Sequence, residues 1–479
     1  MKRKKGSITL FSLISLLLVT AAIFAILEGT RLQELRRFAN LQTKTALESV
    51  FAEYNSCLWE NYHLLGTDKA QMEALLEEAA NGRQGNRANF LRFVPQEIEM
   101  ANYSRITDDK GHVFISCVST YMKDNILYEA VKEIYSQYEA IKQVMDSSKM
   151  DTSDITDALE ELKNLEEEES GNSVGTSAQK REKGVDVRGL LETAERWKKM
   201  GILELVVEDK SKLSSAEIDL ESGLLKRQLL TGTAEASSTP NWVDRILLQQ
   251  YLLSYMSSLQ NLKEDRALSY ELEYLLGEKA SDIENLKIVA TELLAIRQAA
   301  NFLYLLSNPL KLAQAEALAT LIGGLTLNPA VIQLIKIALL TAWALAESVL
   351  DVRALLAGKK IALLKSDESW TLELENIGGI TSDYMVAKES AWGLSYETYL
   401  GLLLLLKNEQ DLAMHAMNAQ EATIRKVYQD ESFCLDRLVT QANVEILYTY
   451  EPIFPFLRVI DAEKRWEYKL LGAEGYSYY

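Results

Sequence analysis

The residue combinations that could do chemistry are few. Three histidines, His63, His112 and His415, lie far apart, and neither an HExxH stretch nor a cysteine pair at zinc spacing accompanies them. Isolated histidines of this kind serve as structural or exposed side chains. Gly171-Asn172-Ser173-Val174-Gly175 matches GxSxG, which presents a nucleophilic serine when a strand runs into the turn and a helix leaves it. Here four glutamates and a serine, residues 166–170, precede the match, so no strand frames it. Ser177-Ala178-Gln179-Lys180 matches SxxK in the same low-complexity stretch and lacks a frame for the same reason. No phosphate-cradling GxxxxGK(S/T) loop occurs. Carboxylates are abundant, at 69 Asp and Glu. Glycoside chemistry needs two of them at a set separation around a bond, and abundance does not supply that geometry. The composition reads instead as a solvated acidic surface. No catalytic, cofactor-binding or metal-ligating residue is expected, and the chain reads as a non-enzyme.

A more specific pattern lies near the N-terminus. Ala21, Ala25 and Gly29 are spaced four apart, on one face of a helix, where small residues let two membrane helices approach closely. Glu28 stands three residues before Arg31; a local ion pair is the plain reading, and a contact with a partner subunit the sharper one. The element that carries these residues is a run of 21 uncharged positions, residues 7–27, following Lys2, Arg3, Lys4 and Lys5. As a helix the run is roughly 31 Å long, about the thickness of a bilayer's hydrocarbon core. Thr20-Ala21-Ala22 is a passable signal-peptide cleavage site. The apolar run passes through it to Leu27, however, and helical spacing continues through Leu32, Leu35 and Ala39, which favours an uncleaved anchor. The basic residues crowd the short side, so the N-terminus is expected in the cytoplasm and the bulk outside it. A formal net charge of −18, or −22 without those four basic residues, disfavours nucleic-acid binding. Cys57, Cys117 and Cys434 form no disulfide framework.

Four regions follow from the pattern. Residues 1–27 are the basic tip and anchor. Residues 28–146 hold a stalk helix reaching about Leu65, a short acidic helix over 68–80, a strand–turn–strand over 97–106 and 112–118, and a helix over 121–144. Residues 147–240 are an acidic and polar low-complexity region and linker with a short helix and strand. Residues 241–479 read as a helical bundle, with helices over 242–262, 268–276, 283–306, 313–321, 331–356, 396–406 and 411–427, and with Pro309 and Pro329 in the breaks. Residues 361–364 and 370–374 suggest a small hairpin, and 458–471 further strands. The 331–350 stretch is interrupted by Lys336 and Glu347 and reads as a core helix rather than a second span. The expected fold is mainly α with minor β: a transmembrane helix, a stalk and a helical bundle.

Several stretches carry a resemblance: KGSITLFSLISLLL at 5–18, SVFAEYNSCLWENYHLLG at 49–66, LSYELEYLLGEKASDIENLK at 268–287, AWALAESVLDVRALLAGKKIALLKSDESW at 342–370 and GLSYETYLGLLLLL at 393–406. On these the chain resembles a family of Bacillota envelope proteins associated with Tad (Flp)-type pilus gene clusters, with TadE/TadG-like pseudopilin N-termini. The resemblance implies leader cleavage between Gly6 and Ser7. It also implies a membrane-anchored accessory or pseudopilin role in a pilus or secretion system, with no cofactor. The partners it implies are other membrane-anchored pilus or envelope proteins; the uncharged run adds the bilayer, and the Ala21, Ala25 and Gly29 spacing a second copy packed through the anchor helix. One position departs: pilins of this type usually carry glutamate five residues after the cleavage glycine, and here that residue is Phe11. A surface-exposed binding or adhesin-like module, using Tyr476, Tyr478 and Tyr479, is the second expectation, and an envelope hydrolase the third.

Overall fold

The computed structural model describes residues 5–82, 93–123, 134–136, 138–139, 142–143, 201–235, 239–323, 329–381, 384–451 and 468–479. It is mainly helical, with one small antiparallel sheet. The chain forms two compact units. The first comprises Met1–Tyr121, Arg227–Thr239 and Ser432–Tyr479, and the second Met122–Lys226 and Pro240–Glu431.

The first unit begins with α1 (Lys5–Phe51), 47 residues of continuous helix. No proline interrupts it, and its only glycines are Gly6 and Gly29. Asn55 then starts α2 (Ser56–Tyr62) by accepting the Leu58 N–H at 2.8 Å, and α3 (Lys69–Gly82) follows. The sheet is built on β3 (Leu438–Tyr450). Along one of its edges lies β2 (Phe93–Arg105); along the other lie β4 (Tyr468–Ser477) and then β1 (Thr67–Asp68), all antiparallel to it. β3 alternates as a half-buried strand must: Ala442, Val444, Ile446 and Tyr448 are buried, while Gln441 and Asn443 are exposed. Pro95 sits on outer strand β2, beside a register shift, the kind of edge position where a sheet accepts proline.

The second half of α1 is the helix that covers this sheet. Leu35, Ala39, Ala46 and Val50 recur on one face and pack with Val444, Ile446 and Tyr448 of β3 and with Met72 and Leu76 of α3. Each such Leu, Val or Ile contributes roughly 1.5–3 kcal/mol by leaving water. The helix comes so close to β4 that a Cβ on Gly472 would run into Thr43 Oγ1 and stand 3.2 Å from the Ala39 carbonyl oxygen. The expected stalk is therefore corrected: α1 beyond residue 30 is the core helix of a folded body, and the helix ends at Phe51 rather than near Leu65.

Other expectations change as well. Residues 112–118 belong to α4 (His112–Lys123), whose buried Phe114, Ile115, Val118 and Met122 recur at helical spacing. Between it and β2 the backbone turns through left-handed Asp109 and Lys110. The strand after β3 is β4, so Ser432–Tyr479 joins the N-terminal unit instead of the helical bundle to which the sequence assigned it. The expected 361–364/370–374 hairpin is not formed; Ile361 bridges Leu394 instead. The 121–144 helix falls largely, and the 147–184 linker wholly, outside the described residues.

The second unit is helical. Its elements are α5 (Ile202–Val206), α6 (Trp242–Tyr255), α7 (Glu271–Gly277), α8 (Asp282–Ser307), α9 (Pro309–Gly323), α10 (Pro329–Leu356), α11 (Tyr396–Leu406) and α12 (Glu409–Tyr428). Pro309 and Pro329 open α9 and α10, at the helix position where a missing N–H costs nothing. α6 carries a complete capping box, with Asn241 and Asp244 each accepting the other's backbone N–H.

Candidate functional site

The segment with the clearest functional chemistry is the first half of α1. Thirteen Leu, Ile, Phe and Val side chains between Ile8 and Leu27 are solvent-exposed in the folded chain. At the centre of a membrane helix each favours lipid by about 0.3–0.6 kcal/mol, so together they favour insertion by roughly 4–8 kcal/mol. The apolar, exposed N-terminal helix is a membrane anchor or a signal sequence. Thr20 Oγ1 returns its hydrogen bond to the Leu16 and Leu17 carbonyls, so its hydroxyl is satisfied within the helix.

The anchor meets the folded body at Glu28 and Arg31. Arg31 Nη1 lies 2.6 Å from Glu28 Oε1, and Arg31 Nη2 donates to the Glu451 carbonyl at 2.9 Å. The guanidinium also sits 5.5 Å from the centre of the Tyr450 ring. Of the two readings of Glu28, the local pair is formed. Arg31 adds something the sequence did not disclose, a bond to a residue 420 positions away that ties α1 to the end of β3. Gly6 and Ser7 lie in the first turn of α1. Ala21, Ala25 and Gly29 are exposed, and a Cβ on Gly29 would meet nothing within 4 Å, so among the described residues no side chain packs on that position.

Of the three C-terminal tyrosines, Tyr476 is exposed beside Phe51, while Tyr478 and Tyr479 are half-buried against the body. Tyr478 donates to the Phe51 carbonyl and bonds Thr67 Oγ1 at 2.7 Å, and Tyr479 accepts the Leu65 N–H at 2.7 Å. They fasten the chain's end to the turn after α1. Burial pushes the Tyr478 hydroxyl up to about 12. His63 caps α2 in a left-handed conformation and stacks on Tyr121, and His415 Nδ1 lies 2.8 Å from the Asp411 carbonyl. Cys57, Cys117 and Cys434 are in no disulfide, and burial raises the Cys117 thiol to about 12, which makes it a poor nucleophile. The GxSxG and SxxK matches lie outside the described residues. Among the described residues, no three His, Cys, Asp or Glu side chains gather closely enough to hold a metal ion.

In the second unit Glu347, Asp351 and Arg353, the charged residues in the second half of α10, are buried with partners. Asp351 Oδ2 accepts from Arg297 Nε at 3.0 Å and from Asn301 Nδ2 at 2.9 Å, while its Oδ1 lies 2.7 Å from Lys365 Nζ. Lys365 also reaches Glu347 Oε1 at 2.9 Å, and Glu347 accepts the Thr371 and Leu372 N–H groups. Burial raises the Glu347 carboxyl despite the neighbouring ammonium. Two cations face two carboxylates in a fully buried, hydrogen-bonded cluster. That is the arrangement in which buried charge is tolerated, and it positions α8, α10 and the 361–372 segment. A shallow cavity of about 260 Å³ lies elsewhere in this unit, lined by Glu217, Asp219, Asn418, Glu421, Arg425 and Lys426 among others. Its cations are engaged: Arg425 pairs with Glu421 at 2.7 Å, and Lys426 donates to the Ala267 carbonyl at 2.9 Å.

The sequence profile described as "Family of unknown function (DUF5702)" matches residues 180–450, more than half of the chain. The chain belongs to the DUF5702 family. No curated protein and no solved structure matches it. The DUF5702 match takes in the helical second unit, from α5 through α12, together with β3. The anchor half of α1 lies outside it. Arg31 was visible in the sequence only as half of a local pair; its remote partner, Glu451, carries no local signal. The Arg297–Asp351–Lys365–Glu347 cluster was equally hidden, although one hint was available. Charges at 347, 351 and 353 inside an apolar helix predict buried partners somewhere in the fold.

Proposed function

We propose that this DUF5702 protein is a pseudopilin-like structural or accessory subunit of a Tad/Flp-like pilus or secretion system, working without catalysis. In this reading α1 spans the cell membrane once, its basic tip in the cytoplasm and both folded units outside. The observation that carries the reading is the division of one helix: residues 8–27 are apolar and exposed, and residues 31–51 are the core helix of an antiparallel sheet. A subunit held in the membrane by such a helix transmits position and force directly to its body, because no linker intervenes. Pseudopilin-like leader processing at Gly6–Ser7 would remove the four basic residues and leave this helix whole. The exposed Ala21, Ala25 and Gly29 face would then be available to the anchor of a second copy or of another envelope protein.

Protease shaving of intact cells tests the reading, with mass spectrometry of released and retained peptides. Release of peptides from residue 28 onward, with the N-terminus retained, is the expected result. A retained peptide beginning at Ser7 would add leader processing. Protection of both units that persists in wall-stripped protoplasts would move them to the cytoplasm and end the pilus reading.

One observation favours a second reading, a surface-exposed binding module. Trp392 is 96% exposed, yet it sits on a tightly pinned turn. Gly393 donates to the Ser390 carbonyl, Ser390 to the Lys360 carbonyl, and Ile361 and Leu394 exchange backbone bonds. A preorganised, exposed tryptophan is the kind of side chain that dominates protein interfaces.

A further inference from the structure

We propose that the end of the sheet marked by Phe93, Tyr450 and Tyr468 abuts the phosphate headgroups of the bilayer, so that the first unit stands on the membrane surface with no stalk between. The inference rests on the membrane reading of α1. Three observations carry it. The helix is continuous through the boundary, from Lys5 to Phe51, so the body cannot swing on a linker. Arg31, the first residue of α1 buried in the body, follows Leu27, the last of the uncharged run, by four positions, a rise of about 6 Å. The interfacial layer on each side of the hydrocarbon is about 5–7 Å deep. Finally, Tyr450 is paired with Phe93 on one side and Tyr468 on the other, so all three strands reach the level at which Arg31 donates to Glu451.

Exposed cations are present at this level for a phosphate layer to meet, beside exposed Glu34, which pairs with Arg37 at 3.4 Å, and Glu451. Arg36 and Arg37 on α1 are exposed, and side chains on a helix lean toward its N-terminus, here toward the bilayer. Lys469 at the start of β4 is exposed as well. The cross-body bond of Arg31 to Glu451, with the guanidinium steadied by its local pair to Glu28, fixes the sheet end against the helix just above the hydrocarbon boundary. The body's distance and tilt relative to the membrane then follow from α1 alone.

The test uses the full chain in vesicles of phosphatidylcholine and phosphatidylglycerol, with single fluorophores on Lys469→Cys or Ser477→Cys in a Cys57→Ser/Cys434→Ser background. Both positions are exposed, at opposite ends of β4, separated by about 27 Å of extended chain. Nitroxide on the lipid headgroup should quench the Lys469→Cys fluorophore several-fold more than the Ser477→Cys fluorophore. A third fluorophore on Thr20→Cys, read against acyl-chain nitroxide, monitors the anchor itself. Quenching at Thr20→Cys with no difference between the two β4 positions would overturn the inference and leave the membrane reading standing. Shielding of the Lys469→Cys fluorophore from both lipid nitroxide and aqueous iodide would overturn it in favour of a second copy covering that end. An unquenched Thr20→Cys fluorophore would bring down the membrane reading and this inference together.

Discussion

α1 and α10 are both long and apolar enough to cross a bilayer, yet the folded chain treats them oppositely. None of the most apolar window of α1 is buried, against 39% of that of α10. The difference lies in where charge falls and what awaits it. α1 has a charge-free stretch of bilayer length, with its first ion pair, Glu28–Arg31, set at the edge of the body. α10 carries Glu347, Asp351 and Arg353 in its second half, and each finds a partner inside the second unit. Arg353 Nε, for instance, donates to the Leu205 carbonyl at 2.6 Å. Composition alone does not distinguish an anchor from a core helix. The supply of partners for the helix's charges does.

The largest effect is expected where that supply is cut. Asp351→Ala would leave Arg297 and Lys365 without a shared carboxylate in the interior of the second unit, and should destabilise it by roughly 3–5 kcal/mol in denaturant unfolding. If the change were near neutral, the cluster would not be what permits α10 to be buried. The converse substitution acts on α1. Leu17→Arg places a charge at the middle of the anchor, at a cost of about 2.5–3.5 kcal/mol for insertion. It should shift the protein toward the soluble fraction of cell extracts while leaving the unfolding midpoint of the two units unchanged. A drop in that midpoint would mean that residue 17 packs on protein after all.

A smaller effect probes a buried carboxylate without a countercharge. Burial raises Glu273 to about 7, outweighing the bonds it accepts from the Leu259 N–H and the Tyr396 hydroxyl. The folded state therefore keeps this proton above the pH at which the unfolded chain releases it. Stability should fall as pH rises from about 4.5 to 7 and level off beyond, by at most about 3 kcal/mol. Glu273→Gln should remove most of that slope, as measured by unfolding across the same pH range. A slope unchanged in the variant would assign it to other groups.

How much of this was legible depended on the range of each interaction. Helices over 283–306, 331–356 and 396–406 could be read closely, because apolar spacing and proline at a helix start are local signals. Residues 112–118 were misread as a strand, since a short apolar run does not reveal its period. β3 was overlooked although Ala442, Val444, Ile446 and Tyr448 alternate, because its partner β2 lies before the whole second unit in sequence while β3 follows it. Of the candidate site, the anchor and the Glu28–Arg31 pair were visible and the clasp to Glu451 was not.

The sequence by itself determined the apolar N-terminal helix, a membrane anchor or a signal sequence. Twenty-one uncharged residues after a basic tip need no tertiary partner to prefer lipid, because transfer free energy adds residue by residue. Only the tertiary structure decided that the same helix continues as the core of a sheet drawn from both ends of the chain, and that the charges of α10 are buried rather than solvated. Strand pairing and the compensation of buried charge depend on residues outside the local window, from Lys365 eighteen positions beyond Glu347 to β2 on the far side of the second unit from β3, and the local pattern of one partner does not name the other.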